Sequence, residues 1–166
     1  MDFGFTREES LFRDSVKEFG ERFIKPPHWM ELDDGKYSLL ELIPRLAEHG
    51  LIGLTLSSKY GGSEGSFLMA AIAAEELAYA DPSLAIPVYF LLEIAWPFIV
   101  QRYAKDSVKE EVLPRLTKGE AWIGIASTEP QGGSDVGNER TEARLVNGRW
   151  LLTGGEKNMA TGISIA

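Results

Sequence analysis

The sequence predicts a mainly α-helical domain followed by a shorter region of antiparallel β-structure. Apolar residues recur at helical spacing through the first 120 residues, whereas polar and apolar residues alternate after residue 140. The dipeptide Asn147-Gly148 divides that alternating stretch and is a strong β-hairpin signal. We therefore predict a helical domain at residues 1–120 and the beginning of a β domain at residues 121–166.

The first helix is predicted to begin after Thr6. A threonine followed three residues later by Glu9 is the pattern of a capping box, in which each side chain pairs with the main-chain amide of the other. An apolar stripe follows at helical spacing and comprises Leu11, Phe12, Val16, Phe19 and Phe23. Pro26 and Pro27 should end this helix, and we expect a polar loop through Gly35.

Two further helices are predicted from composition. Leucine and isoleucine recur over residues 39–46, and that helix should end near Gly50. Residues 67–80 are rich in alanine and leucine, and their only charges are Glu75 and Glu76, so this helix should be central. Adjacent helical residues point about 100° apart. We therefore interpret the two glutamates as structural or exposed, and not as an acid–base pair.

The apolar run at residues 84–100 should continue the buried core. It is interrupted by Pro87, Glu93 and Pro97, and we expect it to be too short to cross a membrane. Asp106 is expected to cap a last helix, which Pro114 should kink or end. The four tryptophans, Trp29, Trp96, Trp122 and Trp150, are expected in the core.

Composition excludes several classes of function. The net charge of −8 disfavours binding to nucleic acid or to an anionic membrane surface. With no cysteine and only two histidines, the chain has no disulfide or thiol chemistry, and a metal site is not expected. Residues 1–6 lack the basic start and apolar run of a secretory signal, so we expect a cytoplasmic location.

The stretch from Thr128 to Asp135 is the most informative loop. Gly132 and Gly133 permit a positive φ and a close approach of the backbone to a ligand, and Ser134 supplies a hydroxyl. Successive amides in such a turn bind anions. The residues alone leave two interpretations open, a ligand-binding loop and a hydrogen-bonded surface turn, and they favour the second.

Six short motifs then resemble those of the acyl-CoA dehydrogenases, in that family's order. The loop resembles TEPxxGSD, and it is preceded by segments that resemble GL, YGG, EELA and LPxLxxGE and followed by one that resembles GxKxWIT. In this sequence they are Leu51-Ile52-Gly53, Tyr60-Gly61-Gly62, Glu75-Glu76-Leu77-Ala78, Leu113–Glu120, Thr128–Asp135 and Gly155–Thr161.

The resemblance implies an N-terminal helical domain, a middle antiparallel β-barrel domain and a C-terminal helical domain, the last of which this sequence does not contain. It implies FAD as the cofactor and an acyl-CoA thioester as the substrate. It also implies an electron-transfer flavoprotein or another acceptor, and a homo-oligomer. In the family, a glutamate of the C-terminal domain removes the α-proton while a hydride leaves the β-carbon. No residue of this sequence is therefore expected to be the catalytic base.

The resemblance also implies which residues contact the cofactor. Ile125, Ser127 and Thr128 match positions that touch the isoalloxazine ring, where hydrogen bonds tune the flavin. Gly133 and Ser134 match positions near the flavin pyrophosphate and the CoA part of the substrate, and Ser134 is the residue expected to bind the substrate.

The last motif departs from the family pattern at one position. Thr161 matches a residue that hydrogen-bonds the flavin. Met159 occupies the position at which the family has a tryptophan stacked on the flavin, and methionine covers less of a ring. This difference favours weaker flavin binding, an altered site or a different acceptor.

Glu93 has two interpretations. As a lone charge in an apolar run, it is expected to face solvent or to pair with a cation at a domain edge. Alternatively its helix lines the acyl pocket, as the resemblance implies, and Glu93 helps to bind substrate.

Two other functions stay open. One is a flavin monooxygenase or nitroalkane-oxidase-like relative on the same fold. The other is a truncated, non-catalytic protein that binds a partner, because an incomplete barrel leaves strand edges that pair with other chains.

Overall fold

The computed structural model describes residues 4–36 and 38–160, with the main chain alone at 158–160. The chain divides into two compact units, residues 1–123 and 124–166. In the first unit the helices are α1 (Arg7–Phe23), α2 (His28–Asp33), α3 (Leu39–Glu48), α4 (Phe67–Ala80), α5 (Ala85–Tyr103) and α6 (Asp106–Thr117). In the second unit the strands are β1 (Ile125–Thr128), β2 (Glu142–Val146), β3 (Arg149–Thr153) and β4 (Asn158–Ala160).

Helix α1 begins as its sequence predicts. Thr6 Oγ1 accepts a hydrogen bond from Glu9 N at 3.2 Å, and Glu9 Oε2 accepts one from Thr6 N at 2.7 Å, so the capping box is formed. Farther along, α1 packs closely on α4. A Cβ atom added at Gly20 would lie 2.8 Å from Ala80 Cβ, so only glycine permits this approach.

Two side chains join α1 to α4 electrostatically. Arg13 Nε donates to Glu76 Oε1 at 2.6 Å, and Glu76 is buried. Glu76 therefore has a structural role, as expected.

The expected polar loop through Gly35 is wrong in part, because it contains α2. Trp29 and Leu32 on this helix pack against the core. The helix is only six residues long, so it shows too little periodicity for the sequence to indicate it.

Helices α4 and α5 form the centre of the helical unit. Helix α5 has 19 residues and runs through both of its prolines, so the expectation that it is too short to cross a membrane is wrong. Pro87 is tolerated because it lies in the first turn, where amides have no partner within the helix. By length and composition α5 could cross a membrane, but apolar helices in the core of a protein meet the same criteria. Its buried residues are Ile86, Pro87, Tyr89, Phe90, Glu93, Ile94 and Pro97.

Asp81 caps the N-terminus of α5. Its carboxylate accepts hydrogen bonds from Ser83 N at 3.0 Å and from Ile86 N at 2.8 Å. Leu84, the residue before the helix, has a left-handed conformation with φ 65°. The fully buried Asp81 thus replaces the side-chain cap that Leu84 does not provide.

Helix α6 differs from its prediction at its start, and it does not end at Pro114. Lys105 occupies the N-cap position, and Asp106 is the first helical residue and does not cap the helix. Pro114 lies inside α6, which continues to Thr117. Thr117 Oγ1 contacts Pro114 O at 3.1 Å and donates to Tyr60 O at 2.9 Å, so the end of α6 is attached to the loop before α4.

That loop, residues 57–65, is closely packed on itself. A Cβ atom at Gly62 would lie 2.2 Å from Leu56 O, a distance that no side chain can occupy. Gly61 has φ 84°. Both glycines of the Tyr60-Gly61-Gly62 motif are therefore required by the backbone.

In the second unit, β1 pairs with β4 and β2 pairs with β3, both antiparallel. Asn147 and Gly148 join β2 to β3 with φ values of 50° and 76°, which confirms the predicted hairpin. Trp150 on β3 is 67% exposed, so its assignment to the core is wrong. Within the described residues, no layer covers either face of this hairpin.

Candidate functional site

Strand β1 carries three of the predicted site residues. Ile125 and Ser127 are half-buried, and Thr128 is exposed. Ala126 is opposite Met159 on β4, and the register shifts between Ala126 and Thr128. The structure therefore brings the main chain of Met159 beside β1. Thr161 lies outside the described residues.

A tight turn follows β1. Glu129 N donates to Gly132 O at 3.1 Å, and Gly132 N donates to Glu129 O at 3.0 Å. The two glycines permit a positive φ, but neither Gly132 nor Gly133 has one. A Cβ atom on Gly133 would meet Thr128 Cγ2 at 3.7 Å, which is an ordinary contact. The fold therefore does not itself require glycine at 133.

Glu129 holds the turn to the chain that leads into β2. It is 3% exposed and accepts hydrogen bonds from Arg140 N at 2.7 Å and from Thr141 N at 2.9 Å. Thr141 Oγ1 donates to it at 2.6 Å, and Gln131 Nε2 is a further donor. These donors, with Lys157, hold the pKa of the Glu129 carboxyl well below its usual range.

Lys157 links the Glu129 carboxylate to Glu139 and to strand β1. Its Nζ lies 2.9 Å from Glu129 Oε1 and 2.9 Å from Glu139 Oε2, and it donates to Ser127 O at 3.0 Å. The two carboxylates raise the pKa of Lys157, and Lys157 lowers the pKa of Glu139. The ion pairs therefore fix β1 and the turn as one arrangement.

Sequence reasoning missed the roles of Glu129 and Lys157, although both lie in the quoted motifs. The one available signal was the charge of Glu129 directly before a proline, in a turn of otherwise small or neutral residues. The donors that bury this charge come from residues 140, 141 and 157, and no local pattern indicates that they meet.

The hydroxyl groups of the site differ in availability. Ser127 Oγ donates to Glu139 Oε1 at 3.1 Å, so it is left with acceptor capacity only. Thr128 and Ser134 are exposed, and within residues 4–36 and 38–160 neither side chain makes a hydrogen bond. The turn thus presents two hydroxyls, one on each side of Gly133 in the chain, that make no hydrogen bond among the described residues.

Glu93 lies in the helical unit. It is 1% exposed, and its Oε1 accepts a hydrogen bond from Ile123 N at 3.3 Å. Burial raises the pKa of Glu93 to about 7. The expectation that Glu93 faces solvent or pairs with a cation is therefore wrong, because the carboxyl is buried and its one described hydrogen bond comes from an amide.

A helical unit followed by antiparallel strands has the element order that the resemblance implied for the first part of the chain. The family model for the N-terminal domain of acyl-CoA dehydrogenases matches residues 6–120. The chain therefore belongs to the acyl-CoA dehydrogenase family.

Individual proteins agree with this assignment. A mitochondrial long-chain specific acyl-CoA dehydrogenase of Rattus norvegicus is 31% identical over 161 residues, which are 95% of this chain and 36% of that protein. Butyryl-CoA dehydrogenase from Megasphaera elsdenii is 28% identical with a TM-score of 0.82, over 98% of this chain and 43% of that one. A structure described as the electron transferring flavoprotein of Acidaminococcus fermentans is 25% identical with a TM-score of 0.83, over 99% and 43%. The chain thus spans less than half the length of these relatives.

Proposed function

We propose that this chain is the N-terminal portion of an FAD-dependent acyl-CoA dehydrogenase that introduces a double bond between the α and β carbons of an acyl-CoA thioester. The observation that carries the proposal is the turn after β1. It holds Gly133 beside Thr128, it leaves two hydroxyls unengaged, and it is fixed by Glu129 and Lys157. The family assignment supports the same reaction class.

The residues of the turn fit FAD. Thr128 offers a hydroxyl able to donate to a ring atom, and Gly133 leaves room for a phosphate to approach the main chain. Ser134 offers a second donor to the pyrophosphate or to CoA. Ile125 and Met159 are assigned to the wall of the flavin site, and Ser127 contributes through its acceptor capacity. The assignment of Thr161 stays a prediction, because this residue lies outside the described residues.

The cofactor, the described residues and the electron acceptor have separate roles in the proposed reaction. When bound, FAD supplies the acceptor for the hydride, which is chemistry that no side chain provides. The described residues bind and orient the cofactor, and none of them is assigned as the base. We propose an electron-transfer flavoprotein as the electron acceptor and a homo-oligomer as the assembly. Similarity to the Acidaminococcus fermentans structure supports the kind of partner.

The test is flavin binding and reduction in the complete gene product. Purified with FAD, the protein should show a bound-flavin spectrum that bleaches when acyl-CoA is added without oxygen. Gly133→Ala should weaken FAD binding by about tenfold or more while leaving the melting temperature of the FAD-free protein unchanged, because the added Cβ meets only an ordinary contact within the chain. Gly155→Ala, at an exposed position with open space around it, is the matched control.

Two outcomes would contradict the proposal. A protein that neither holds flavin nor is bleached by any acyl-CoA would favour the non-catalytic interpretation. Oxygen consumption with a nitroalkane or another substrate, without bleaching by acyl-CoA, would favour the monooxygenase or oxidase interpretation.

A further inference from the structure

Ser127 is the irregular residue of strand β1. Ala126 is opposite Met159 and Thr128 is opposite Asn158, so no residue of β4 in the described chain is opposite Ser127. An extra residue of this kind forms a β-bulge, which redirects its side chain and occurs often beside active sites. The bulge therefore lies within the strand that carries the proposed flavin contacts.

Two charged side chains hold the polar groups of the bulge. Lys157 Nζ donates to the main-chain oxygen of Ser127 at 3.0 Å, and Ser127 Oγ donates to Glu139 Oε1 at 3.1 Å. Lys157 Nζ also donates to Glu139 Oε2 at 2.9 Å, which closes the ring of hydrogen bonds. Ser127 is therefore fixed at both its main chain and its side chain.

The charge of Glu139 determines which way the Ser127 hydroxyl points. Lys157 and then Ser127 lower the pKa of the Glu139 carboxyl, so this group stays ionised at neutral pH. A carboxylate has no proton to donate, so the single hydroxyl proton of Ser127 is directed to Glu139. Only the lone pairs of the Ser127 oxygen are left for a ligand.

An acceptor and a donor have opposite effects on a flavin. A hydroxyl that donates to the isoalloxazine ring stabilises the electron-rich reduced form, because the donor meets the charge that reduction adds. A hydroxyl fixed as an acceptor pairs only with a ring N–H and gives no such stabilisation. The direction of the Ser127 hydroxyl should therefore affect the reduction potential of bound flavin.

We propose that Glu139 is a positioning residue of the flavin site, which holds the Ser127 hydroxyl as an acceptor toward the flavin and thereby lowers the reduction potential of the cofactor. The inference rests on the proposed function, because that proposal assigns Ser127 to the wall of the site. It adds a residue that lies outside all six sequence motifs.

The experiment measures the reduction potential of the flavin in the complete, FAD-loaded gene product, against a dye of known potential. Glu139→Leu removes the acceptor and frees the Ser127 hydroxyl to donate. At a fixed potential it should raise the ratio of reduced to oxidised flavin about tenfold, which is about 30 mV for a two-electron couple. Glu139→Gln, which keeps an acceptor oxygen, should cause a smaller shift. Glu142→Leu is the matched control, because Glu142 is an exposed glutamate of β2, and it should cause none.

A double-variant cycle separates an effect through the hydroxyl from an effect of charge alone. Ser127→Ala removes the hydroxyl, so adding Glu139→Leu to it should cause little further shift. A shift of full size in the Ser127→Ala protein would show that Glu139 acts by its charge across space. An unchanged potential in Glu139→Leu itself would show that the direction of the hydroxyl has no effect. Either result would overturn the inference.

A second measurement needs neither bound flavin nor a variant of Glu139. The pKa of the Glu139 carboxyl is determined by NMR titration of the FAD-free protein. Ser127→Ala should raise this pKa, because the carboxylate loses one of its hydrogen-bond donors. The same pKa with and without the hydroxyl would mean that the hydrogen bond is not formed in solution, and the inference would be wrong.

The two proposals fail separately. Bleaching of the flavin by acyl-CoA, with a reduction potential that is the same in Glu139→Leu and wild type, overturns the inference about Glu139 alone. The expected shift in potential without bleaching by any thioester supports the role of Glu139 and overturns the dehydrogenase reaction.

Discussion

Lys157 Nζ lies 2.9 Å from Glu129 Oε1, and it joins the segment before β4 to the turn after β1. The carboxylate is buried and also receives the amides of Arg140 and Thr141. A charge in this position is stable only while these donors surround it. The pair therefore determines the shape of the turn that carries the proposed flavin contacts.

Replacing Glu129 with glutamine should loosen the turn. The amide side chain loses the negative charge that three segments share, so the main-chain amides of Arg140 and Thr141 should exchange with solvent about tenfold faster. Hydrogen exchange measured by NMR tests this. Glu142→Gln is the control, because Glu142 is exposed and, among the described residues, forms an ion pair with Arg144 two residues away. Unchanged exchange at both amides would show that the carboxylate does not hold the turn.

The stability of the helical unit should depend on pH through Glu93. Its pKa is about 7 in the folded chain and 4.5 ordinarily, so the folded state prefers the protonated form. Below pH 4.5 the group is protonated in both states and costs nothing. As pH rises to about 7 the unfolded state ionises first, and the free energy of unfolding should fall by about 3 kcal/mol at most.

Urea denaturation at several pH values measures this dependence. Glu93→Gln should flatten the profile between pH 4.5 and 7, whereas Glu18→Gln should leave its slope unchanged. A profile that is just as steep in Glu93→Gln would assign the dependence to other groups.

The approach of α1 to α4 should be sensitive to a single methyl group. Gly20→Ala places a Cβ atom 2.8 Å from Ala80 Cβ, and we expect a loss of about 1–3 kcal/mol in the free energy of unfolding. The better helix propensity of alanine offsets part of this. The double variant Gly20→Ala/Ala80→Gly should be more stable than Gly20→Ala alone. Simple additivity of the two single changes would mean that the methyl groups do not collide.

Asp81 should contribute to stability as the cap of α5. Asp81→Ala leaves the amides of Ser83 and Ile86 without their acceptor, and a loss of about 1–3 kcal/mol is expected because the site is buried. Asp81→Asn, which keeps one acceptor oxygen, should lose less. Asp106→Ala in the exposed first turn of α6 serves as the comparison and should cost about 0.5 kcal/mol. Equal melting temperatures for Asp81→Ala and wild type would rule out the capping role.

The features that the sequence predicted correctly depend on atoms a few residues apart. The Thr6–Glu9 capping box and the Asn147-Gly148 hairpin are of this kind. Incorrect predictions depended on distant contacts. The burial of Glu93 involves Ile123, and α5 continues through Pro97, although the sequence alone indicated an interruption there.

The same distinction applies to the site. Resemblance indicated β1 and the turn, and the structure brings Ser127, Thr128 and Gly133 into one region. The network that fixes them was not predictable, because its donors come from residues 140, 141 and 157. The sequence also contained no sign that Tyr89 Oη, Glu93 Oε2 and Trp96 Nε1 of α5 are buried without a hydrogen-bond partner among the described residues. Burial of these groups is a property of packing and not of sequence pattern.

The Cβ position of Gly62, 2.2 Å from Leu56 O, bears on how such sequences are classified. The glycine is demanded by the scaffold's own backbone, so every enzyme with this loop conformation will carry it whatever reaction it catalyses. A sequence match at Tyr60-Gly61-Gly62 therefore indicates only the shared fold. It does not distinguish a dehydrogenase from an oxidase with the same fold. Gly133 is the opposite case, since the chain leaves it room for a side chain. Natural variation at residue 133 should accordingly track cofactor retention across the superfamily, and variation at residue 62 should track only the ability to fold.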